Sequence, residues 1–270
     1  MALPIIDSLD ELIYPIYNSA ATQVMDVYHS DNFETKSKED NSPVTVADLL
    51  SHQAIKLGLE SITKDIPVLS EEEEYPSSIP KEFWLIDPLD GTKEFINKSN
   101  EFTLNIALIS NGIPVYGFVG APAMNLVWTS NTVKHQALSN TSDLPKLLRV
   151  IGSKSHKTDQ DTTFAAFLKE KGIDHQYKSY GSSLKICMLA TGDADIYPRF
   201  GPTSEWDIAA AHAILLAAGG DILDISSMKT LEYGKKDTIL NPYFVAFGAS
   251  VDITEVGKFL MNLAKIAKIS

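Results

Sequence analysis

The chain has 270 residues, enough for one large domain or two moderate ones with real cores. Its hydrophobic fraction of 44% and charged fraction of 21% are ordinary for a globular protein. The formal net charge of −12 argues against a nucleic-acid polymer or an anionic membrane as partner, because both demand basic surface. A small phosphorylated ligand needs only local positive charge or bound metal.

Leu9, Leu12, Ile16, Ala20, Val24 and Val27 recur at helical spacing and predict an amphipathic helix within the first thirty residues. Phe33–Ser42 is polar and mixed in charge, and reads as a loop or hairpin ending at the turn Asn41-Ser42-Pro43. A second helix is expected from about Thr45 to Ile62. The period then changes to that of strands at Ile66–Leu69, Phe83–Ile86, Phe102–Leu108, Val115–Val119 and Leu126–Thr129. Glu71–Lys81, acidic and proline-bearing, reads as a mobile surface loop.

From Asn140 strands and helices alternate. Strands are expected at Leu148–Ile151, His175–Lys178, Asp195–Tyr197, Asp221–Ile225 and Phe244–Phe247. Helices are expected at Gln160–Lys171, Ser183–Ala190, Trp206–Ala218 and from Thr254. The first part reads as α+β and the second as α/β, with a boundary near 140–147 that divides the chain into 1–143 and 144–270.

Cys187 is the single cysteine, so no intrachain disulfide is possible, which fits a reducing cytoplasm. The first seventeen residues show no basic stretch ahead of an apolar one, so no secretory signal is expected. The longest apolar run, near Ile208–Gly220, is interrupted by His212 and is too short to span a bilayer. No integral membrane anchor is expected; peripheral attachment stays open. Nothing points to an obligate protein partner.

Asp87-Pro88-Leu89-Asp90-Gly91-Thr92 follows the strand Phe83–Ile86, and carboxylates at such a place sit on a rigid support. Pro88 fixes one φ and removes a donor, and the aspartates can turn toward one centre with the Leu89 carbonyl between them. Hard oxygen ligands suit Mg²⁺. Gly91 allows close backbone approach, and the amides of Gly91 and Thr92 can face a phosphate. Alone, the segment reads first as a turn with an Asx cap. Three further groups have ordinary readings too: Glu71 and Glu72 open a solvated acidic loop, Asp207 complements a helix start, and Asp48 closes a capping box with Thr45.

Val44-Thr45-Val46-Ala47-Asp48, Leu69-Ser70-Glu71-Glu72, Trp84–Phe95 and Trp206-Asp207-Ile208-Ala209-Ala210, taken together, resemble the ordered signature of the inositol monophosphatase superfamily over nearly the whole chain. The resemblance implies an αβαβα layered sandwich with the site between the halves. It implies two or three Mg²⁺ ions on Glu71, Asp87, the Leu89 carbonyl, Asp90 and Asp207. It implies that Asp48 and Thr92 orient and deprotonate the attacking water, with Glu72 in support, and that Li⁺ inhibits.

Only two of the 23 lysine and arginine residues are arginine, Arg149 and Arg199. Arg199 lies in Tyr197–Thr203, where inositol-specific relatives carry a glutamate for sugar hydroxyls; an arginine favours a second phosphate. Stacking on Tyr197 or Phe200 is the plainer alternative. Ser153–His156, Gly181–Lys185 and Tyr197–Thr203 resemble the 3′(2′),5′-bisphosphate nucleotidase branch, which converts adenosine 3′,5′-bisphosphate to AMP and also acts on PAPS. Carried over, Lys185 and Arg199 hold the non-reacting phosphate, His156 and Ser182 line the nucleotide site, and Ser183 adds a hydroxyl. Glu205 and Ala211 depart from the branch pattern and leave fine specificity open. An inositol or sugar monophosphatase is the alternative, and a non-catalytic metal- or nucleotide-binding module the remoter one.

Overall fold

Leu9, Ile16, Ala20 and Val24 are buried along one side of α1 (Leu9–His29), as the helical spacing predicts, whereas Leu12 of that set is exposed, Val27 is only partly buried, and Ile13 is buried instead. The structure is a computed structural model that describes residues 6–30, 35–37, 43–133, 146–154, 158–235, 238–249, 251 and 257–261. Two short strands, β1 (Thr35–Ser37) and β2 (Pro43–Thr45), pair antiparallel, so the described part of the 33–42 region is a hairpin. Thr45 then caps α2 (Val46–Ile62), which packs against α1.

The first sheet follows: β3 (Val68–Ser70), β4 (Glu82–Asp90), the short helix α3 (Thr92–Ile96), β5 (Thr103–Ser110), β6 (Ile113–Ala121) and β7 (Leu126–Thr129). Its order is β3-β4-β5-β6-β7, parallel between β3 and β4 and antiparallel elsewhere. Successive β4 side chains serve opposite cores. Trp84 and Ile86 pack with α1 and α2, whereas Phe83 and Leu85 join a central cluster.

The second sheet uses β8 (Leu148–Ser153), β9 (His175–Tyr180), β10 (Ile196–Arg199), β11 (Asp221–Asp224) and β12 (Phe244–Phe247), in the order β11-β12-β10-β8-β9. The helices α4 (Asp159–Glu170), α5 (Leu184–Ala190) and α6 (Glu205–Ala217) complete it. Phe164 and Leu168 of α4 cover the outer face of this sheet with Leu148, Val150 and Val245. On its inner face lie α5 and α6, and α6 packs across β4, β5 and β6 of the first sheet. The layers are therefore helices, sheet, helices, sheet, helix: the αβαβα sandwich. Gly117 permits the closest of these contacts, since a Cβ there would stand 2.0 Å from the Ala210 carbonyl oxygen of α6.

Two expectations change in detail. The strand expected to stop at Ile86 runs on to Asp90, with a break in register between Asp87 and Asp90. Pro88 cannot donate a ladder hydrogen bond, and a bulge is where a sheet tolerates it. The Glu71–Lys81 loop is tied down rather than loose: Glu73 pairs with Lys56 of α2 and Tyr75 reaches Glu205 of α6. Residues 257–261 are helical, while the rest of the helix expected from Thr254 lies outside the described residues, as does the 134–145 stretch that holds most of the expected boundary.

Candidate metal and phosphate site

β3 and β4 run parallel, so their C-terminal ends place Glu71 and Asp87 side by side. The start of α6 brings Asp207 to the same point. One carboxylate oxygen from each of Glu71, Asp87 and Asp207 lies within 4.8 Å of the others. Asp90 stands beside this trio, where its Oδ2 accepts from Ser183 Oγ at 3.0 Å and from Asn105 Nδ2 at 3.4 Å. Ser183 Oγ also lies 2.5 Å from the Asp207 carbonyl, a second acceptor competing with Asp90 for its one proton, and accepts from Asn105 Nδ2 at 2.9 Å. Ser183 is thus turned toward the carboxylates.

This cluster is electrostatically frustrated. Desolvation holds the carboxyls of Asp87 and Asp207 well above the usual range, and the neighbouring carboxylates push both higher. Asp90 is raised as well, against the pull of Lys185 and the Ser183 and Asn105 hydrogen bonds. A divalent cation reverses every one of these repulsions, and a donor set made only of hard oxygen atoms fits Mg²⁺.

Asp48 lies at the first turn of α2 and is 2% exposed. Its Oδ2 accepts from the Thr45 amide at 2.8 Å and from Thr45 Oγ1 at 2.7 Å, which closes the capping box. Its Oδ1 accepts from Thr92 Oγ1 at 3.2 Å. The cap and the link to Thr92 therefore coexist on one carboxylate. Burial raises Asp48 above its ordinary value, and the charge of nearby Glu72 adds to this. The Leu89 carbonyl lies 3.2 Å from Thr92 Oγ1, which brings the Asp87–Thr92 segment into one constellation. Gly91 turns that segment at φ +89°, a conformation that favours glycine.

Asp90, Asp207 and Glu71 open onto a cavity of about 290 Å³. Gly91, Thr92, Ser182, Ser183, Lys185 and Arg199 line it too, so all but one of the residues expected to bind substrate share one space. The exception, His156, lies outside the described residues. Lys185 is buried, and burial pushes its ammonium down to about 8 while Asp90 pulls the other way. It donates to the Tyr180 and Ser182 carbonyls. Arg199, also buried, is held by the Gly201 carbonyl at 3.2 Å and the Pro202 carbonyl at 2.9 Å. Ser182 adopts φ +44°, and its buried hydroxyl has no hydrogen-bond partner among the described residues, which leaves a polar atom for a ligand.

Asn105 is not singled out by the sequence, which points to Ser153 and Tyr197 only within the segments Ser153–His156 and Tyr197–Thr203. Asn105 is 1% exposed in the middle of β5 and binds both Asp90 and Ser183. Its signal was present: an asparagine inside the strand Thr103–Ser110 needs a buried polar partner. Ser153 lines the cavity from the end of β8 and Tyr197 from within β10.

The pattern of the inositol monophosphatase family matches residues 6–249. The chain belongs to that family. Among its relatives, the 3′(2′),5′-bisphosphate nucleotidase CysQ of Salmonella typhimurium is 42% identical over 246 residues, 87% of this chain and 97% of that protein. CysQ of Escherichia coli K12 is 42% identical over 238 residues, 84% of this chain and 94% of that one. The crystal structure of CysQ from Bacteroides thetaiotaomicron superposes with a TM-score of 0.74 at 33% identity, covering 92% of this chain and 99% of that one. An inositol monophosphatase of Thermotoga maritima shares the fold at a TM-score of 0.72 and 21% identity. Within the inositol monophosphatase family the chain sides with the CysQ proteins. The family is metal-dependent, typically on Mg²⁺, in keeping with the carboxylate cluster. Among the described residues no helix is long and apolar enough to cross a membrane.

Proposed function

We propose that this chain is a Mg²⁺-dependent 3′(2′),5′-bisphosphate nucleotidase that hydrolyses adenosine 3′,5′-bisphosphate to AMP and phosphate, and accepts PAPS as well. The observation that carries the reading is that Lys185 and Arg199 line the same cavity as Asp90 and Asp207. Two buried cations next to an acidic cluster suit a substrate with two phosphates, one at the cluster and one beyond it.

Glu71, Asp87, Asp90, Asp207 and the Leu89 carbonyl would hold two or three Mg²⁺ ions. Bound Mg²⁺ supplies positive charge and Lewis acidity to the reacting phosphate. The residues do the rest. Thr92 Oγ1 receives a proton from the attacking water and passes its own to Asp48 Oδ1. Asp48 is the better base because burial raises it above an ordinary carboxylate. Glu72 supports Asp48 through its charge. Gly91 leaves room for a phosphate at the backbone. Ser182, Ser183, Lys185 and Arg199 position the nucleotide, together with His156. The halves 1–143 and 144–270 act as one catalytic unit, since the cluster takes Glu71 and Asp87 from one and Asp207 from the other. The substrate is a small nucleotide, and a cytoplasmic location fits a chain whose lone cysteine is buried.

Phosphate release from adenosine 3′,5′-bisphosphate and from inositol 1-phosphate, measured side by side with Mg²⁺, tests the reading. Faster turnover of the inositol ester overturns it in favour of an inositol monophosphatase.

A further inference from the structure

Glu205 stands two residues before Asp207 and is 0% exposed. A carboxylate removed from water needs several partners, and this one has them from two separate segments. The amides of Gly234 and Lys235 donate to it at 2.7 and 3.2 Å, and the Lys235 ammonium lies 2.6 Å away. The Tyr75 hydroxyl donates from the β3–β4 loop at 3.3 Å. Burial and the Glu205 charge push the Tyr75 phenol upward, so it keeps its proton and remains a donor. The Tyr75 ring also rests 6.3 Å from that of Trp206, the neighbour of Asp207.

The loop that carries Glu71 therefore has two moorings. On the side of the first sheet, Glu73 pairs with Lys56 and lies 3.6 Å from His52, both on α2. On the side of the second half, Tyr75 is bound to Glu205. The second mooring ties the loop of Glu71 to the helix that bears Asp207.

We propose that Glu205 is a positioning residue. Its buried carboxylate draws the Tyr75 end of the acidic loop and the 233–235 segment onto the start of α6, and so sets the gap between Glu71 and Asp207. The proposal rests on the reading of those carboxylates as metal ligands. Groups one step behind a metal site fix the approach of its ligands, and their loss weakens metal affinity by about 10- to 100-fold.

Mn²⁺ binding to the substrate-free chain, followed by electron paramagnetic resonance, tests this. Tyr75→Phe removes one hydroxyl and leaves every charge in place; Glu205→Gln removes the charge. Both are expected to weaken Mn²⁺ binding by about 10-fold, with kcat recovering at saturating metal and KM for the nucleotide unchanged. The Tyr75→Phe arm keeps the test sharp even where Glu205→Gln lowers stability. Asp207→Asn serves as the reference for a lost ligand. If Asp207→Asn abolishes Mn²⁺ binding while Tyr75→Phe stays within about twofold of the unaltered chain, Glu205 is a structural clamp only and the proposal is overturned. If Asp207→Asn binds Mn²⁺ normally, the metal-centre reading itself falls, and this proposal with it.

Discussion

Thr92 Oγ1 lies 3.2 Å from Asp48 Oδ1 and equally 3.2 Å from the Leu89 carbonyl oxygen, and a hydroxyl has one proton to give. The proton can bind Asp48 or the Leu89 carbonyl, but not both at once. In the first case the Thr92 oxygen is free to accept from a water, which is the geometry that deprotonation requires. Thr92→Val deletes the hydroxyl at nearly constant volume. Its kcat for phosphate release is expected to drop by about 10²–10⁴-fold, the usual worth of a positioned proton acceptor. Thr92→Ser keeps the hydroxyl and most of the rate. An unimpaired Thr92→Val variant would remove Thr92 from the reaction.

The carboxylate cluster predicts opposite effects of one substitution with and without metal. Asp87 is 1% exposed and is raised by desolvation and by three neighbouring carboxylates. Asp87→Asn relieves that repulsion, so the metal-free variant is expected to melt at or above the Tm of the unaltered chain in EDTA. Adding Mg²⁺ raises the Tm of the unaltered chain by linkage, and this gain is expected to vanish in the variant. Thermal melts in EDTA and in Mg²⁺ check both halves. An equal Mg²⁺ shift in the two proteins would place the ion elsewhere.

Arg199 divides its guanidinium between the Gly201 and Pro202 carbonyls and still borders the cavity. Arg199→Met removes the charge at similar length. The expected effect is a rise in KM for adenosine 3′,5′-bisphosphate of about 10- to 100-fold, the size of a lost charge-assisted hydrogen bond. Mn²⁺ affinity is expected to hold. Equal loss of both would mean that Arg199 shapes the α6 start instead of reading the second phosphate.

His212 gives the fold a pH dependence remote from the carboxylates. It is 0% exposed, its Nδ1 lies 2.8 Å from the Tyr233 hydroxyl and its Nε2 lies 3.0 Å from Asp221 Oδ1. A neutral ring satisfies both: Tyr233 donates to Nδ1, and Nε2–H donates to Asp221. Burial lowers the His212 pKa, with Asp221 opposing. In the unfolded chain the imidazole takes its proton below about pH 6.5. The unfolded state then binds more protons than the folded one, so stability is full above that pH and declines as pH falls toward the lower folded value. Urea midpoints at several pH values are expected to show this decline, and His212→Asn is expected to flatten it. Parallel pH profiles for the two proteins would count against His212 as the source.

Local chemistry alone determined most of the elements. The strands Leu126–Thr129 and Phe244–Phe247 stand where short apolar runs of strand type put them. Thr45 and Asp48 announced a capping box, and one forms, because the box is closed by residues three apart. What local spacing does not give depends on distance through space; for Asp48 and Thr92 the family resemblance supplied it. Asp48 and Thr92 are 44 residues apart, and Tyr75 and Glu205 are 130 apart. No spacing rule links such pairs: Asp48 and Thr92 meet because α2 packs against β4, and Tyr75 meets Glu205 because α6 packs across the first sheet and carries Asp207 to the ends of β3 and β4. The carboxylates were legible in the chain by type and by family resemblance. Their convergence, the strain it creates and the clamp at Glu205 were decided by tertiary packing, since electrostatic coupling follows distance in the fold and not position along the chain.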